Sequence, residues 1–180
     1  MFDPNRTELY VIDFQEKLLA AMPEGSGDGE RDAAQKAVEN LLFAAGELEI
    51  PVTVTEQYRK GLGATVPSLV LPPGSVRVDK MAFSAVREPG FALPRRPEVL
   101  IVGMEAHICV ALTVLDLLAR GTVVHVVADG CLSRRAADRA RGLGLCAAKG
   151  AQIVSSETVL FGMIERAGTP LFREISRRIR

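Results

Sequence analysis

The sequence alternates short apolar runs with longer segments of helical periodicity, and this alternation constrains its fold more than any other feature. Residues 99–103 (VLIVG) and 122–128 (TVVHVVA) are apolar at nearly every position, as in strands buried on both faces. Residues 30–48 carry apolar side chains at intervals of three and four, which indicates a helix. Strands that alternate with helices pair in parallel through right-handed crossovers. We therefore expect a three-layer α/β/α sandwich around a parallel sheet of about six strands.

The other predicted elements are shorter. Strands are expected at 8–12, 50–55, 75–78 and 152–154, helices at 108–120 and 133–149 and near the C-terminus, and a loop rich in glycine and aspartate at 23–29. There is no internal repeat, linker or low-complexity tract. Residues 1–180 are therefore predicted to form a single domain.

Composition excludes several classes of protein. The chain has 180 residues, 48% of them hydrophobic, and its 22 Lys and Arg balance 22 Asp and Glu. Such a chain is not disordered, and zero net charge argues against a nucleic-acid partner held by bulk charge. Its apolar runs are far shorter than the roughly 18 residues that suggest a membrane span, so no membrane partner is expected. The three widely spaced cysteines and the charged N-terminal segment predict a reduced, cytoplasmic protein.

Reactive side chains follow several predicted strands, at the edge where parallel sheets bind ligands. Asp13 follows the first strand and Lys80 the third, while Cys109 comes a few residues after the fourth. Glu56 and Asp129 follow the second and fifth strands. A carboxylate, an ammonium and a thiol are therefore expected at one edge of the sheet.

Each of these residues also has a purely structural interpretation. Asp13 can cap the next helix, Lys80 can be an ordinary surface lysine, and Cys109 can be a small buried hydrophobe. Cys131 and Cys146 keep that last interpretation. Cys109 differs from them because it is predicted in the first turn of a helix, where unpaired N–H groups favour a thiolate.

Together these residues form a nucleophile, a base and a cation. Asp13 is suited to accept the Cys109 proton, and Lys80 to stabilise the thiolate and the transition state. Because Asp13 disfavours the thiolate, the net shift of the Cys109 pKa depends on which neighbour dominates. The set requires no metal or other cofactor, and the two histidines, His107 and His125, lie in different segments.

The sequence resembles the isochorismatase-like cysteine hydrolases over nearly its whole length, in three ordered motifs. These are VIDFQ with Asp13, DKMAFSA with Lys80, and VGMEAHICV with Cys109. The resemblance implies a six-stranded sheet of order 3-2-1-4-5-6 and a cis peptide between Met104 and Glu105. It also implies an oxyanion hole made by the backbone N–H groups of Glu105 and Cys109, and a homo-oligomer. Small isochorismatase-domain proteins of unassigned substrate are the most similar members.

Two activities within that family fit the residues less well. Nicotinamidases carry an Asp-x-His metal site after the second strand, and residues 53–59 (TVTEQYR) contain no histidine. True isochorismatases share the fold but lack the nucleophilic cysteine. The resemblance therefore implies hydrolysis of a small-molecule amide or related C–N bond through a thioester. The alternative is a non-catalytic or redox-reactive binding protein on the same fold. Candidates for the substrate pocket are Phe14, Glu56, Gln57, Phe83 and His107.

Overall fold

The structure is a computed structural model that describes residues 2–24 and 30–180, so most of the loop predicted at 23–29 lies outside the described residues. The strands are β1 (Thr7–Ile12), β2 (Val52–Gln57), β3 (Val76–Lys80), β4 (Glu98–Met104), β5 (Val123–Leu132) and β6 (Gln152–Val154). The helices are α1 (Glu16–Ala20), α2 (Glu30–Glu47), α3 (Arg59–Leu62), α4 (Ala111–Leu118), α5 (Ala136–Ala148), α6 (Ser156–Ile164) and α7 (Pro170–Arg178).

The six strands form one parallel sheet in the order β3-β2-β1-β4-β5-β6. The predicted fold class and strand order are confirmed. Strands β1 and β4 are neighbours although they are distant in sequence, and Ile12 pairs with Gly103 near their carboxyl ends. The residues that follow these two strands therefore lie side by side.

Helices cover both faces of the sheet because the central strands are apolar on both sides. Leu9 and Val11 of β1 pack in a core cluster with α2, α6 and α7. Tyr10 and Ile12 point the other way, into a cluster with α4 and α5. None of the helices within the described ranges is both long and apolar enough to cross a bilayer.

Strand β5 extends beyond its predicted end at residue 128. Its register against β4 shifts between Ile101 and Gly103, and pairing resumes at Cys131 and Leu132. The irregularity places Gly130 against Val102, where an added Cβ would lie 2.6 Å from a methyl carbon. The prediction was too short because a bulge interrupts the apolar pattern without ending the strand.

Candidate active site

Asp13 and Lys80 form a buried ion pair at the carboxyl edge of the sheet. Lys80 Nζ lies 2.8 Å from Asp13 Oδ2, and neither side chain is exposed to solvent. The hydroxyl of Thr55 donates to Asp13 Oδ1 over 2.6 Å. Oδ2 is paired with Lys80 by charge but accepts no hydrogen bond from the described residues, so it can take a proton from a neighbouring group.

The backbone of Asp13 is in the left-handed region, with φ +51°. Aspartate and asparagine tolerate this conformation better than other non-glycine residues. The Asp13 N–H donates to the carbonyl oxygen of Thr55 over 3.1 Å, which extends the β1–β2 pairing by one residue. Thr55 therefore holds both the backbone and the carboxylate of Asp13.

Acceptors surround the Lys80 ammonium. It donates to Gln57 Oε1 over 2.6 Å and to the carbonyl oxygens of Ala82 and Phe83 over 3.1 Å each. These contacts satisfy a buried charge that would otherwise be strongly unfavourable. Lys80 therefore fixes Asp13 in place and holds the chain at residues 82–83 around the site.

Cys109 lies in a π-helical turn, Ala106–Val110, that joins β4 to α4. The Val110 N–H donates to the Glu105 carbonyl over 3.3 Å, which closes this wider turn. The helix predicted at 108–120 therefore begins with a π-helical turn, which contains Cys109, and the α-helical part, α4, begins at Ala111. The residue is 6% exposed, and its thiol interacts with the side chains of both Asp13 and Lys80.

The surroundings of Cys109 favour the neutral thiol. Burial and the Asp13 carboxylate together outweigh the Lys80 ammonium and raise the pKa of the Cys109 thiol to about 12. The thiol is consequently protonated at neutral pH. It becomes a competent nucleophile only when a base removes its proton during the attack.

Glu105 precedes the π-helical turn, and its peptide bond with Met104 is cis, as the family resemblance implies. The Glu105 carboxylate faces Arg134, whose Nε lies 3.0 and 3.1 Å from its two oxygens. The backbone N–H of Arg134 also donates to it over 3.1 Å. Burial opposes these contacts, but they prevail and hold the pKa of the Glu105 carboxyl below its usual range.

Comparison with known proteins agrees with this geometry. The isochorismatase domain model matches residues 7–158 of the chain. The human isochorismatase domain-containing protein 2 is 37% identical over 98% of this chain and 84% of its own length. This chain belongs to the isochorismatase family.

Solved structures show the same isochorismatase fold. The MAR1 ribonuclease from Caenorhabditis elegans superposes with a TM-score of 0.86 and 34% identity, covering 98% of this chain and 91% of that one. The Escherichia coli protein YcaC, described as an octameric hydrolase of unknown specificity, has a TM-score of 0.77 and 19% identity, covering 91% and 82%. The chain thus has the fold of an isochorismatase-family hydrolase.

In this isochorismatase-family chain, the structure brings three of the five predicted pocket residues near the cluster of Cys109, Asp13 and Lys80. Gln57 binds Lys80 directly, and its Nε2 donates to the carbonyl of Met81 over 2.9 Å. Phe83 is 59% exposed, and its backbone carbonyl accepts a hydrogen bond from Lys80. The Nδ1 atom of His107, two residues before Cys109, lies 3.0 Å from Ser133 Oγ.

Glu56 and Phe14 are directed elsewhere. Glu56 lies on the opposite face of β2 from its neighbours Thr55 and Gln57, because successive side chains of a strand alternate. Its carboxylate accepts from the N–H and the hydroxyl of Thr65, over 2.7 Å each. Phe14 is fully buried in the core on the α2 side of the sheet, whereas Cys109 packs on the other side.

The sequence analysis missed three residues that support the site. Thr55 and Arg134 bind the carboxylates of Asp13 and Glu105. Gln15 accepts from the Gln57 N–H over 2.7 Å and donates to its carbonyl over 3.1 Å. Polar residues at the end of a buried strand and just after Asp13 were an available signal for Thr55 and Gln15. No local signal marked Arg134, because its contact depends on the path of the chain between β5 and α5.

The reactivity of Cys109 should respond in opposite directions to the loss of its two charged neighbours. Lys80→Ala removes the cation that favours the thiolate and should raise the thiol pKa further, whereas Asp13→Asn should lower it. The rate of alkylation by iodoacetamide against pH measures both shifts. Cys131 and Cys146, which are fully buried, are replaced by alanine to leave a single thiol. Unchanged midpoints in both variants would show that the three side chains do not interact.

Proposed function

We propose that this chain is a cysteine hydrolase that cleaves a small-molecule amide or related C–N bond through a thioester intermediate. The observation that carries the proposal is the buried cluster of Cys109, Asp13 and Lys80, in which a neutral thiol lies close to a carboxylate held by an ammonium. A neutral thiol paired with a base suits attack on a carbonyl carbon. A binding protein has no need of this complete set.

The first half of the reaction forms the thioester. Cys109 Sγ bonds to the carbonyl carbon while its proton passes to Asp13 Oδ2, and the carbonyl π electrons move onto oxygen. The N–H groups of Glu105 and Cys109 bind this oxyanion. When the oxyanion collapses, the C–N bond breaks and Asp13 returns the proton to the leaving nitrogen. Ammonia or an amine departs.

The second half releases the acid. Asp13 takes a proton from water as the water oxygen attacks the thioester carbon, and the same N–H groups hold the second oxyanion. Collapse breaks the C–S bond, and the proton on Asp13 returns to the sulfur. Lys80 favours the ionised form of Asp13 at the start of each half and keeps its carboxyl oriented, while its own N–H bonds are held by Gln57 and the carbonyls of Ala82 and Phe83.

A small substrate is favoured by the depth of the cluster. Asp13 is 0%, Lys80 2% and Cys109 6% exposed, which leaves little room for a polymer to approach the thiol. Ribonuclease activity is the second candidate, because the MAR1 ribonuclease is 34% identical over nearly the whole chain. Burial of the cluster and zero net charge count against it.

The test is ammonia release from a panel of small aliphatic and aromatic carboxamides by the wild-type chain and by Cys109→Ala. We expect release that requires Cys109 and survives EDTA, since no cluster of metal-ligand side chains lies within residues 2–24 and 30–180. A parallel arm incubates both proteins with single-stranded RNA. Cysteine-dependent RNA cleavage without amide hydrolysis would favour the second candidate, and a thiol that is labelled but never turns over would favour the binding protein.

We also propose that the chain assembles with copies of itself. The resemblance implies this, and the E. coli YcaC neighbour is described as octameric. A molar mass above the 19.4 kDa of one chain in light scattering would support it, and a monomer at micromolar concentration would contradict it.

A further inference from the structure

We propose that Arg134 is a positioning residue for the oxyanion hole, which rests on the proposed acyl-transfer function. One of the two N–H groups assigned to the oxyanion belongs to Glu105, and the Glu105 side chain is anchored by Arg134. The anchor therefore controls where that N–H points.

The Glu105 carboxylate has few alternatives to this anchor. Its side chain is only 7% exposed, whereas the Arg134 side chain is 60% exposed and reaches inward from the loop between β5 and α5. The guanidinium Nε and the backbone N–H of Arg134 both bind the carboxylate. Two hydrogen-bond donors of this kind fix the orientation of a carboxylate as well as its position.

The same segment touches the π-helical turn at two further points. Ser133 Oγ lies 3.0 Å from His107 Nδ1, and Ser133 is 2% exposed. Gly142 of α5 packs so closely that an added Cβ would lie 2.6 Å from the Ala106 carbonyl oxygen and 2.6 Å from the His107 Cα. We call residues 133–142 the supporting segment. The supporting segment packs against the π-helical turn, and Arg134 is the residue of this segment that binds Glu105, the proposed oxyanion donor.

This role separates two reactions of the same thiol. Acylation by p-nitrophenyl acetate passes through an oxyanion, so it depends on the Glu105 N–H. Alkylation by iodoacetamide displaces iodide at a saturated carbon and forms no oxyanion. Both reagents are neutral, so loss of the Arg134 charge does not alter their attraction to the site. The ratio of the two rates therefore reports the oxyanion hole rather than the thiol or the fold.

The experiment measures both rates at one pH in the wild type, Arg134→Ala, Arg134→Lys and the control Arg141→Ala, with Cys109→Ala as background. Among the residues that the structure describes, Arg141 pairs only with Asp138 of the same helix, and its side chain is 74% exposed. Arg134→Ala should slow acylation roughly 10- to 100-fold, less than the loss of a whole oxyanion donor, and leave alkylation within about twofold. Arg134→Lys should recover part of the acylation rate, and Arg141→Ala should change neither rate.

A double-mutant cycle assigns the effect to Glu105. In a Glu105→Ala background, which keeps the backbone N–H, Arg134→Ala should slow acylation by no more than about twofold further. Equal losses in both reactions, an unchanged acylation rate, or full additivity with Glu105→Ala would each overturn the role of Arg134.

The proposed function can fail separately. If no carboxamide is hydrolysed but acylation still depends on Arg134, the amide assignment falls and the positioning role stands. A wild-type thiol that is alkylated but never acylated would overturn both, because no oxyanion hole would then operate.

Discussion

Asp13→Asn should lower kcat/KM for amide hydrolysis by a factor of about 10³, within the range that a positioned general base contributes. Asparagine has the same size, tolerates the left-handed backbone of residue 13, and can still accept the hydroxyl hydrogen bond of Thr55. The substitution therefore removes the proton acceptor with little change of shape. Steady-state kinetics on the best amide of the panel measure the loss.

The pH dependence of the remaining activity gives the sign of the effect. The Asp13 carboxylate raises the pKa of the Cys109 thiol, so its loss lowers that pKa. Activity of Asp13→Asn should then rise with pH through the lowered thiol pKa, because more of the enzyme carries a thiolate that needs no base. The wild type should not show this rise in the same range.

Asp79→Asn is the matched control for this experiment. Asp79 precedes Lys80 at the end of β3, but its side chain is 66% exposed, and its ion-pair contact with Arg59 is long at 4.0 Å. Activity should stay within about twofold of the wild type. If Asp13→Asn kept more than about a tenth of the wild-type activity, Asp13 would not be the base.

The cluster of Asp13, Lys80 and Cys109 was predictable because the rule that brings these residues together is topological. Asp13 directly follows β1 and Lys80 is the last residue of β3, and the carboxyl ends of parallel strands meet at one edge. Periodicity alone does not order the strands, so the approach of Cys109 to Asp13 followed from the resemblance to a family. The β1–β4 pairing in the structure accounts for that approach.

The pocket residues were less predictable because they depend on which way a side chain points. Gln57 and Glu56 are adjacent in sequence, yet the pleat directs one to Lys80 and the other to Thr65. Phe14 follows a residue with positive φ, which turns the chain, and Phe14 packs into the core on the α2 side. The spacing of the sequence motifs does not determine where the side chains of Glu56 and Phe14 point.

The direction of the Cys109 pKa shift also could not be predicted from the sequence. Asp13 and Lys80 were both expected near the thiol, and their effects oppose one another. Burial is the largest cause of the raised pKa, and the extent of burial depends on how the π-helical turn packs against the rest of the fold. A thiol in the exposed first turn of a helix would have had the opposite shift.

Gly103→Ala should prevent stable folding, because β1 and β4 approach too closely at this point for any side chain. An added Cβ would lie 2.0 Å from the Ile12 carbonyl oxygen and 2.7 Å from its carbon. Both atoms belong to the backbone of a central strand, so they cannot move aside as a flexible side chain can. The residue also has φ +135°, which L side chains rarely adopt.

Gly150→Ala separates the close approach from the backbone strain. Gly150 has φ +104°, and an added Cβ there would lie more than 4 Å from every atom of the described part of the chain that could obstruct it. Alanine at 150 should reduce the free energy of unfolding by about 1–3 kcal/mol, the usual range for a strained backbone. Alanine at 103 should reduce the free energy of unfolding by more than about 4 kcal/mol, or leave no cooperative transition in urea. The loss is larger there because β1 and β4 must move apart in addition to the backbone strain. Similar losses at the two positions would mean that strain alone accounts for Gly103. In that case β1 and β4 could accommodate a side chain at residue 103. The close approach of these two strands would then not be required to bring Asp13 near the π-helical turn that contains Cys109.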